Sequence, residues 1–179
     1  VGTGTYSLPS TAIVLNQAPT DIALSETTIA ENAGANAVVG ALSATDPDTS
    51  DTFTYTLVTG ADSTDNAVFN ISSNQLRVTA SLDFESKNSY SVRVRSTDQA
   101  GLFTEKAFTI SVIDVNEAPT AVSLTPAART LPDNTSTAER FKLADISVID
   151  DALGTNSLAL VGDDADTFEL IGTELYLKA

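Results

Sequence analysis

Hydrophobic and polar residues alternate along much of the chain with the period of two that is typical of β-strands. The clearest case is Ser89–Ser96, in which Tyr90, Val92 and Val94 are predicted to face a core while the serine and arginines between them face water. Other runs are rich in threonine, valine and aromatic residues, which favour strands. The further predicted strands are Ile22–Ser25, Thr28–Ala30, Ala37–Thr45, Thr52–Val58, Ala67–Ile71, Gln75–Thr79 and Phe103–Asp114.

Short clusters of glycine, proline, asparagine and aspartate separate these runs, as turns require. No stretch has the period of an amphipathic helix. About seven short strands in about 100 residues is the pattern of an immunoglobulin-like sandwich. We therefore predict an all-β fold, a Greek-key β-sandwich.

Two matches at nearly the same spacing indicate an internal repeat. The stretch that begins at Asn16 recurs at Asn116, 100 residues later. A separate pattern around Phe69 recurs around Phe168, 99 residues later. A repeat of this length has the size of a domain.

The repeat predicts one complete domain and part of another. Residues 16–118 would form the complete repeat and residues 119–179 a partial second one, which lacks strands matching Ser89–Ser96 and Phe103–Asp114. Residues 1–15 resemble only a last strand. Two explanations stay open: the sequence cuts across a longer array, or the N-terminal strand of one molecule completes the sandwich of another.

The junction between the repeats combines stiffness with oxygen ligands. Asp114, Asn116, Glu117 and Pro119 lie within six residues. Proline fixes its own φ and biases the residue before it towards an extended conformation. Carboxylate and amide oxygens are the ligands that calcium prefers. We predict a stiff linker that holds calcium between two sandwich domains.

Composition narrows the function further. The net charge of −15 disfavours nucleic acid and anionic membranes as partners and suits a cation binder, although a solvated acidic surface would give the same charge. The chain has no Cys, His, Met or Trp. Disulfides, Cys/His zinc sites and the usual nucleophile–base pairs are therefore excluded, so we do not expect an enzyme. No apolar run is long enough to span a bilayer.

Five short motifs resemble, in the same order, those of the cadherin repeat in its bacterial, cadherin-like form. They are Glu31-Asn32, Asp46-Pro47-Asp48, Leu82-Asp83-Phe84-Glu85, Asp98-Gln99-Ala100-Gly101 and the linker Asp114–Pro119. Each is weak alone, but five in order over one repeat make a fairly specific match. The resemblance covers residues 16–119 well and residues 120–179 loosely. It implies a cadherin-type sandwich.

The resemblance also implies calcium ions at the junctions of consecutive repeats. At the junction after the first repeat, the implied ligands are Glu31, Asp83, Glu85, Asp114, Asn116, Glu117 and Asp150, with Asp151 as a further candidate. At the upstream junction they are Asn16, Asp46, Asp48 and Asp98. The linker is one residue shorter than the family pattern, and the second acid of the Asp-x-Asp motif is displaced by one residue in the second repeat. We therefore expect fewer ions per junction than the family usually holds.

The implied function is a calcium-stiffened adhesive or structural module of a secreted or cell-surface protein, of bacterial origin. Its partners would be adjacent repeats or other copies, without nucleic acid and without membrane insertion. One alternative is the subunit of an extracellular filament, in which residues 1–15 complete the second repeat of a neighbour. A second alternative is a carbohydrate-binding module for surface glycans, which the absence of tryptophan disfavours.

Overall fold

The computed structural model describes residues 15–127, 138–151 and 153–179. The chain folds as two compact units, unit 1 up to Asp114 and unit 2 from Val115 onwards. Each unit is built from β-strands. No helix in the described residues is long and apolar enough to cross a membrane. The repeat boundaries inferred from the sequence stay a prediction.

Unit 1 is a sandwich of two four-stranded sheets. Its strands are β1 Asp21–Leu24, β2 Thr28–Ala30, β3 Val38–Thr45, β4 Thr54–Leu57, β5 Phe69–Ser72, β6 Gln75–Val78, β7 Ser89–Thr97 and β8 Phe103–Ile113. One sheet has the order β1-β3-β6-β5 and the other β2-β8-β7-β4. All neighbours are antiparallel except β2 and β8, which run parallel. The predicted all-β, immunoglobulin-like fold class is confirmed.

Strand β7 shows how the sequence alternation becomes a core. Tyr90, Val92 and Val94 are at most 9% exposed, as predicted. Val92 packs in one cluster with Leu76 of the facing sheet, and Val94 packs in a second cluster with Ile22. Complete burial of an aliphatic side chain of this size stabilises the folded state by about 1.5–3 kcal/mol.

The outer face of β7 carries ion pairs. Arg93 Nε lies 2.9 Å and Arg95 Nη2 lies 2.6 Å from the carboxylate of Glu105 on β8. Both arginines point away from the core, as predicted, but this pairing leaves their side chains only 24% and 36% exposed. One glutamate thus joins two positions on a neighbouring strand.

The predicted strand Ala67–Ile71 begins later than the sequence indicates. A 3-10 turn occupies Asn66–Val68, and β5 follows it. Asn66 accounts for the difference. Its Oδ1 accepts a hydrogen bond from Arg93 N at 3.0 Å, and its Nδ2 donates to Val58 O at 2.8 Å. Such side-chain bonds to the backbone compete with a strand ladder and hold a turn.

Unit 2 contains a single antiparallel sheet in its described residues. Its strands are β9 Ala121–Pro126, β10 Phe141–Ile149, β11 Phe168–Ile171 and β12 Glu174–Leu177, in the order β11-β12-β10-β9. This order repeats the sheet β5-β6-β3-β1 of unit 1, and a 3-10 turn, Ala165–Thr167, again precedes the third of these strands. The predicted last-strand segment, residues 1–15, lies outside the described residues except for Leu15.

One face of the unit 2 sheet is open, because no strand of a second sheet is found in the part of unit 2 that the structure describes. On β9, Val122 pairs with Val148 and Leu124 with Ile146 of β10. Val122 is 60% exposed, whereas Ile22 at the same place on β1 is completely buried. We call this apolar surface the open face of unit 2.

Candidate metal centre

Four aspartates gather where two strands of unit 1 end. Asp46 and Asp48 come directly after β3, and Asp98 comes directly after β7. A turn brings Asp51 back to them, since its backbone N–H donates to Asp48 O at 3.1 Å. We call these four residues the acid pole of unit 1.

The acid pole brings three carboxylates into close range. One oxygen from each of Asp46, Asp51 and Asp98 lies within 4.8 Å of the other two. Asp46 Oδ2 and Asp51 Oδ2 are buried and have no hydrogen-bond partner. Buried carboxylate oxygens without partners are costly, because they lose water and gain nothing in exchange. A cation between them would remove both the repulsion and the desolvation cost.

Asp98 is the most firmly held of these acids. It is 5% exposed. Its Oδ1 accepts hydrogen bonds from Ala100 N at 2.8 Å and Leu102 N at 2.9 Å, and its Oδ2 accepts one from Asn16 Nδ2 at 2.8 Å. Burial raises its pKa, but the hydrogen bonds from Asn16, Leu102 and Ala100 together outweigh burial and lower it. Asp98 is therefore kept ionised and oriented.

Asp51 has the opposite character. Burial, followed by the negative charges of Asp46, Asp48 and Asp98, raises the pKa of this carboxyl group. Only a hydrogen bond from Gln99 Nε2, at 3.0 Å, lowers it. Asp51 was not among the predicted ligands. The available signal was the spacing of three acids within six residues at the end of one strand.

The segment before β1 is tied to the acid pole by two contacts. Asn16 binds Asp98, and Gln17 N donates to Asp48 Oδ2 at 2.7 Å. The predicted upstream set of Asn16, Asp46, Asp48 and Asp98 is therefore assembled in space. Whether it ligates an ion stays a prediction.

A second pair of acids lies elsewhere in unit 1. Glu31 and Glu85 offer carboxylate oxygens within 4.8 Å of each other. Glu31 is 3% exposed, and its Oε2 accepts a hydrogen bond from Phe84 N at 2.9 Å. The backbone also ties the two segments together, because Asn32 N donates to Leu82 O at 3.1 Å.

Two further predicted ligands of unit 1 have different surroundings. Asp83 is exposed, and its two oxygens accept hydrogen bonds from the backbone N–H and the hydroxyl of Ser86, at 2.9 and 2.8 Å. These bonds lower the pKa of Asp83. Asp114 directly follows β8 and is half-buried. The structure thus brings Glu31 and Glu85 together and leaves Asp83 engaged with its own turn.

The predicted ligands of unit 2 lie around the end of β10. Asn116 Nδ2 donates to Glu117 O at 3.1 Å, and Glu117 N donates to Asp151 Oδ2 at 2.7 Å. Asp150 Oδ2 accepts a hydrogen bond from Asn156 Nδ2 at 2.8 Å. We call Asp150 and Asp151 the acid pole of unit 2.

The motifs, the sandwich and the paired acids of unit 1 point to one family. Residues 25–113 match the Cadherin domain. The matched segment contains the whole acid pole of unit 1 as well as Glu31 and Glu85. The predicted resemblance to the cadherin repeat is therefore confirmed, while a bacterial source stays a prediction.

Solved cadherin structures share the fold. Protocadherin Gamma B2 extracellular cadherin domains 3-6 match with a TM-score of 0.62 and 20% identity, over 89% of this chain and 39% of that one. Human Protocadherin-24 EC1-2 matches with a TM-score of 0.62 and 18% identity, over 92% of this chain and 79% of that one. The Protocadherin gammaB7 EC3-6 cis-dimer structure matches with a TM-score of 0.56 and 19% identity, over 88% of this chain and 38% of that one. The chain thus spans well under half of the length of the first of these structures.

Proposed function

We propose that this chain is a calcium-binding, cadherin-like module of an extracellular adhesive or structural protein. The observation that carries the proposal is the acid pole of unit 1, where Asp46, Asp51 and Asp98 converge within 4.8 Å and two buried oxygens have no partner. Mutual repulsion makes this arrangement unfavourable unless a cation joins it.

Calcium suits the acid pole better than magnesium does. Calcium accepts six to eight oxygens in flexible geometry, whereas magnesium demands a near-ideal octahedron and keeps most of its water. The ligands would be Asp46, Asp51 and Asp98, with Asp48 and Asn16 beside them. Glu31 and Glu85 would form part of a second location.

Bound calcium would stiffen the chain before β1. Asn16 and Gln17 already contact Asp98 and Asp48, so an ion that fixes these acids also fixes the segment leading into β1. A series of such modules would act as a rod that presents surfaces to other copies. The extracellular and cis-dimer descriptions of the protocadherin structures support this setting and homotypic contacts.

A thermal melt in millimolar calcium, in magnesium and in excess chelator tests the proposal. Extracellular calcium modules bind at about 10⁻⁴–10⁻³ M, and an ion that binds only the folded state raises the midpoint of unfolding. We expect calcium, and not magnesium, to raise the midpoint of the wild type. Asp98→Asn should abolish most of this rise.

Asp62→Asn is the matched control. It removes one charge from an exposed turn of the same unit, at a positive φ of 58° that asparagine tolerates. The control should retain the full response to calcium. A wild type whose midpoint ignores calcium would show that the acids are surface charge.

Head-to-tail assembly is a second candidate function, and the open face of unit 2 favours it. In unit 1 the corresponding face is covered by the sheet that contains β8. Residues 10–15 resemble the end of β8 in sequence. When the two segments are aligned 100 residues apart, however, the small residues Ser10 and Ala12 take the places of Ile110 and Val112, which are buried in unit 1. Deletion of residues 1–15 should abolish any filament seen by light scattering or electron microscopy. Filaments that persist would exclude this mode of assembly.

A further inference from the structure

Charge is distributed unevenly over unit 1. Its strands carry four lysines and arginines and two acids, whereas the remaining residues of the range 15–114 carry eleven acids and one lysine. Two copies of the chain repel each other wherever these acidic segments meet. The faces of the sheets are therefore the surfaces of unit 1 through which two copies can approach.

The outer face of the sheet β1-β3-β6-β5 is almost free of charge. Its outward side chains alternate with buried ones such as Ile22 and Leu76, and all but two of them are uncharged. Ala23, Ala41 and Ser43 are exposed, so the middle of this face has only small side chains. We call this surface the neutral face of unit 1.

The two charged residues of the neutral face lie at opposite corners. Asp21 on β1 pairs with Thr45 at the end of β3, and Arg77 on β6 pairs with Val38 at its beginning. The corners are about 20 Å apart along the strands and about 10 Å apart across them, since β1 and β6 are separated by two strand spacings. The face thus has an acid at one corner and a cation at the other.

Arg77 differs from the other cations of unit 1, each of which pairs with a carboxylate. Arg77 forms no ion pair with any described residue. Its Nη2 donates to the neutral Oε1 of Gln75, and its Nε is buried without a hydrogen-bond partner. Asp21 accepts a hydrogen bond from Lys106 through Oδ1, but its side chain is 56% exposed. A carboxylate accepts several hydrogen bonds, so Asp21 can also receive an arginine.

We infer that the neutral face of unit 1 binds the same face of a second copy, with Asp21 of each copy paired to Arg77 of the other. A two-fold axis across the middle of the face brings both pairs together, which makes the contact self-complementary. Few charges in the middle and charged groups at the rim are typical of protein interfaces. The inference rests on the part of the proposed function in which modules present surfaces to other copies, and it requires no bound ion.

Sedimentation equilibrium of the full chain, from micromolar to millimolar concentration, tests the inference in calcium and in chelator. We expect a weak dimer of the wild type under both conditions. Arg77→Glu and Asp21→Arg should each weaken association about tenfold or more, because each puts like charges together at both corners. An equimolar mixture of these two variants should regain the association of the wild type, because opposite charges then meet at both corners.

Lys178→Glu is the matched control. It makes the same change of charge at an exposed lysine of unit 2 and should leave association unchanged. Thermal melts show whether each variant folds. If Arg77→Glu does not fold, Arg77→Gln takes its place and should weaken association to a smaller extent.

Three results would overturn the inference: a wild type that stays monomeric at millimolar concentration, association that neither single variant weakens, or a mixture that associates no better than its components. The calcium proposal stands or falls separately. A wild type that dimerises through this face but shows no response to calcium in its melt would refute calcium binding and retain the contact.

Discussion

Units 1 and 2 contain the same four-stranded sheet, which is covered on its apolar face in unit 1 and uncovered in the described residues of unit 2. In unit 1, a second sheet covers it, and Ile22 is completely buried. In unit 2, the described residues provide no such cover, and Val122 is 60% exposed at the same place on the first strand. Strand order and register are the same in the two units. Pairing between neighbouring strands determines the order and register of the sheet. The covering sheet determines how much apolar surface is buried, and therefore how much that surface contributes to stability.

Truncation of the matched pair Ile22 and Val122 should give the largest difference. Ile22→Ala leaves a cavity in a closed core and should lower the free energy of unfolding of unit 1 by about 2–5 kcal/mol. Val122→Ala removes a mostly exposed side chain and should change stability by about 0.5 kcal/mol or less. Urea denaturation followed by peptide-level hydrogen exchange would assign each effect to its unit. A large loss for Val122→Ala would mean that the open face is covered in solution.

The two 3-10 turns provide the next comparison. Asn66 anchors the turn of unit 1 to Val58 and Arg93, whereas Ala165 stands at the corresponding place in unit 2. Asn66→Ala should lower the stability of unit 1 by about 1–3 kcal/mol, because it leaves a buried donor or acceptor without a partner. Ala165→Asn should gain nothing comparable, since unit 2 has no described strand for the side chain to reach. A urea midpoint for Asn66→Ala equal to that of the wild type would show that water replaces the anchor.

The smallest expected effect concerns Glu105. Hydrogen bonds from Arg95 and Arg93 lower the pKa of this carboxyl group from its usual value near 4.5. The stability that these two ion pairs add is therefore fully present above the usual pKa of glutamate. It is lost as the pH falls through the lowered pKa of Glu105 in the folded state. Glu105→Gln should flatten the loss of stability between neutral pH and about pH 3.

Glu169→Gln is the corresponding change in unit 2. It removes a single, more exposed contact with Arg140 at 3.3 Å and should lower the free energy of unfolding less than Glu105→Gln does. Urea midpoints across the pH range measure both variants. A parallel profile for Glu105→Gln and the wild type would show that the double ion pair adds no stability.

The sequence predicted the fold well where local pattern decides the outcome. Tyr90, Val92 and Val94 alternate with polar residues, and burial followed that alternation. The 3-10 turn at Asn66 escaped prediction because the partners of that side chain, at Val58 and Arg93, are distant along the chain. A hydrogen-bonding residue looks the same in sequence whether or not a distant backbone group reaches it.

The candidate site was predictable in part for the same reason. Asp46 and Asp98 belong to ordered motifs, and the structure brings them together. Asp51 and Asn156 belong to no motif, and their positions depend on how each turn folds back. The displaced acid Asp151 still reaches the linker amide, which spacing alone did not indicate. Ligation itself depends on distances that a sequence does not contain.

The parallel pairing of β2 with β8 bears on how unit 1 would carry mechanical force. Thr28 and Ala30 lie on β2 and pair with Ser111 and Ile113 on β8. These are the first and the last strand, in chain order, of the sheet β2-β8-β7-β4. If the chain were pulled from its two sides, parallel neighbours would slide past each other, because tension acts on them in opposite directions along one axis. Their hydrogen bonds would then share the load and break together, whereas the bonds of a hairpin pulled from its open end break one at a time. A short parallel pair placed this way would resist the extension of unit 1.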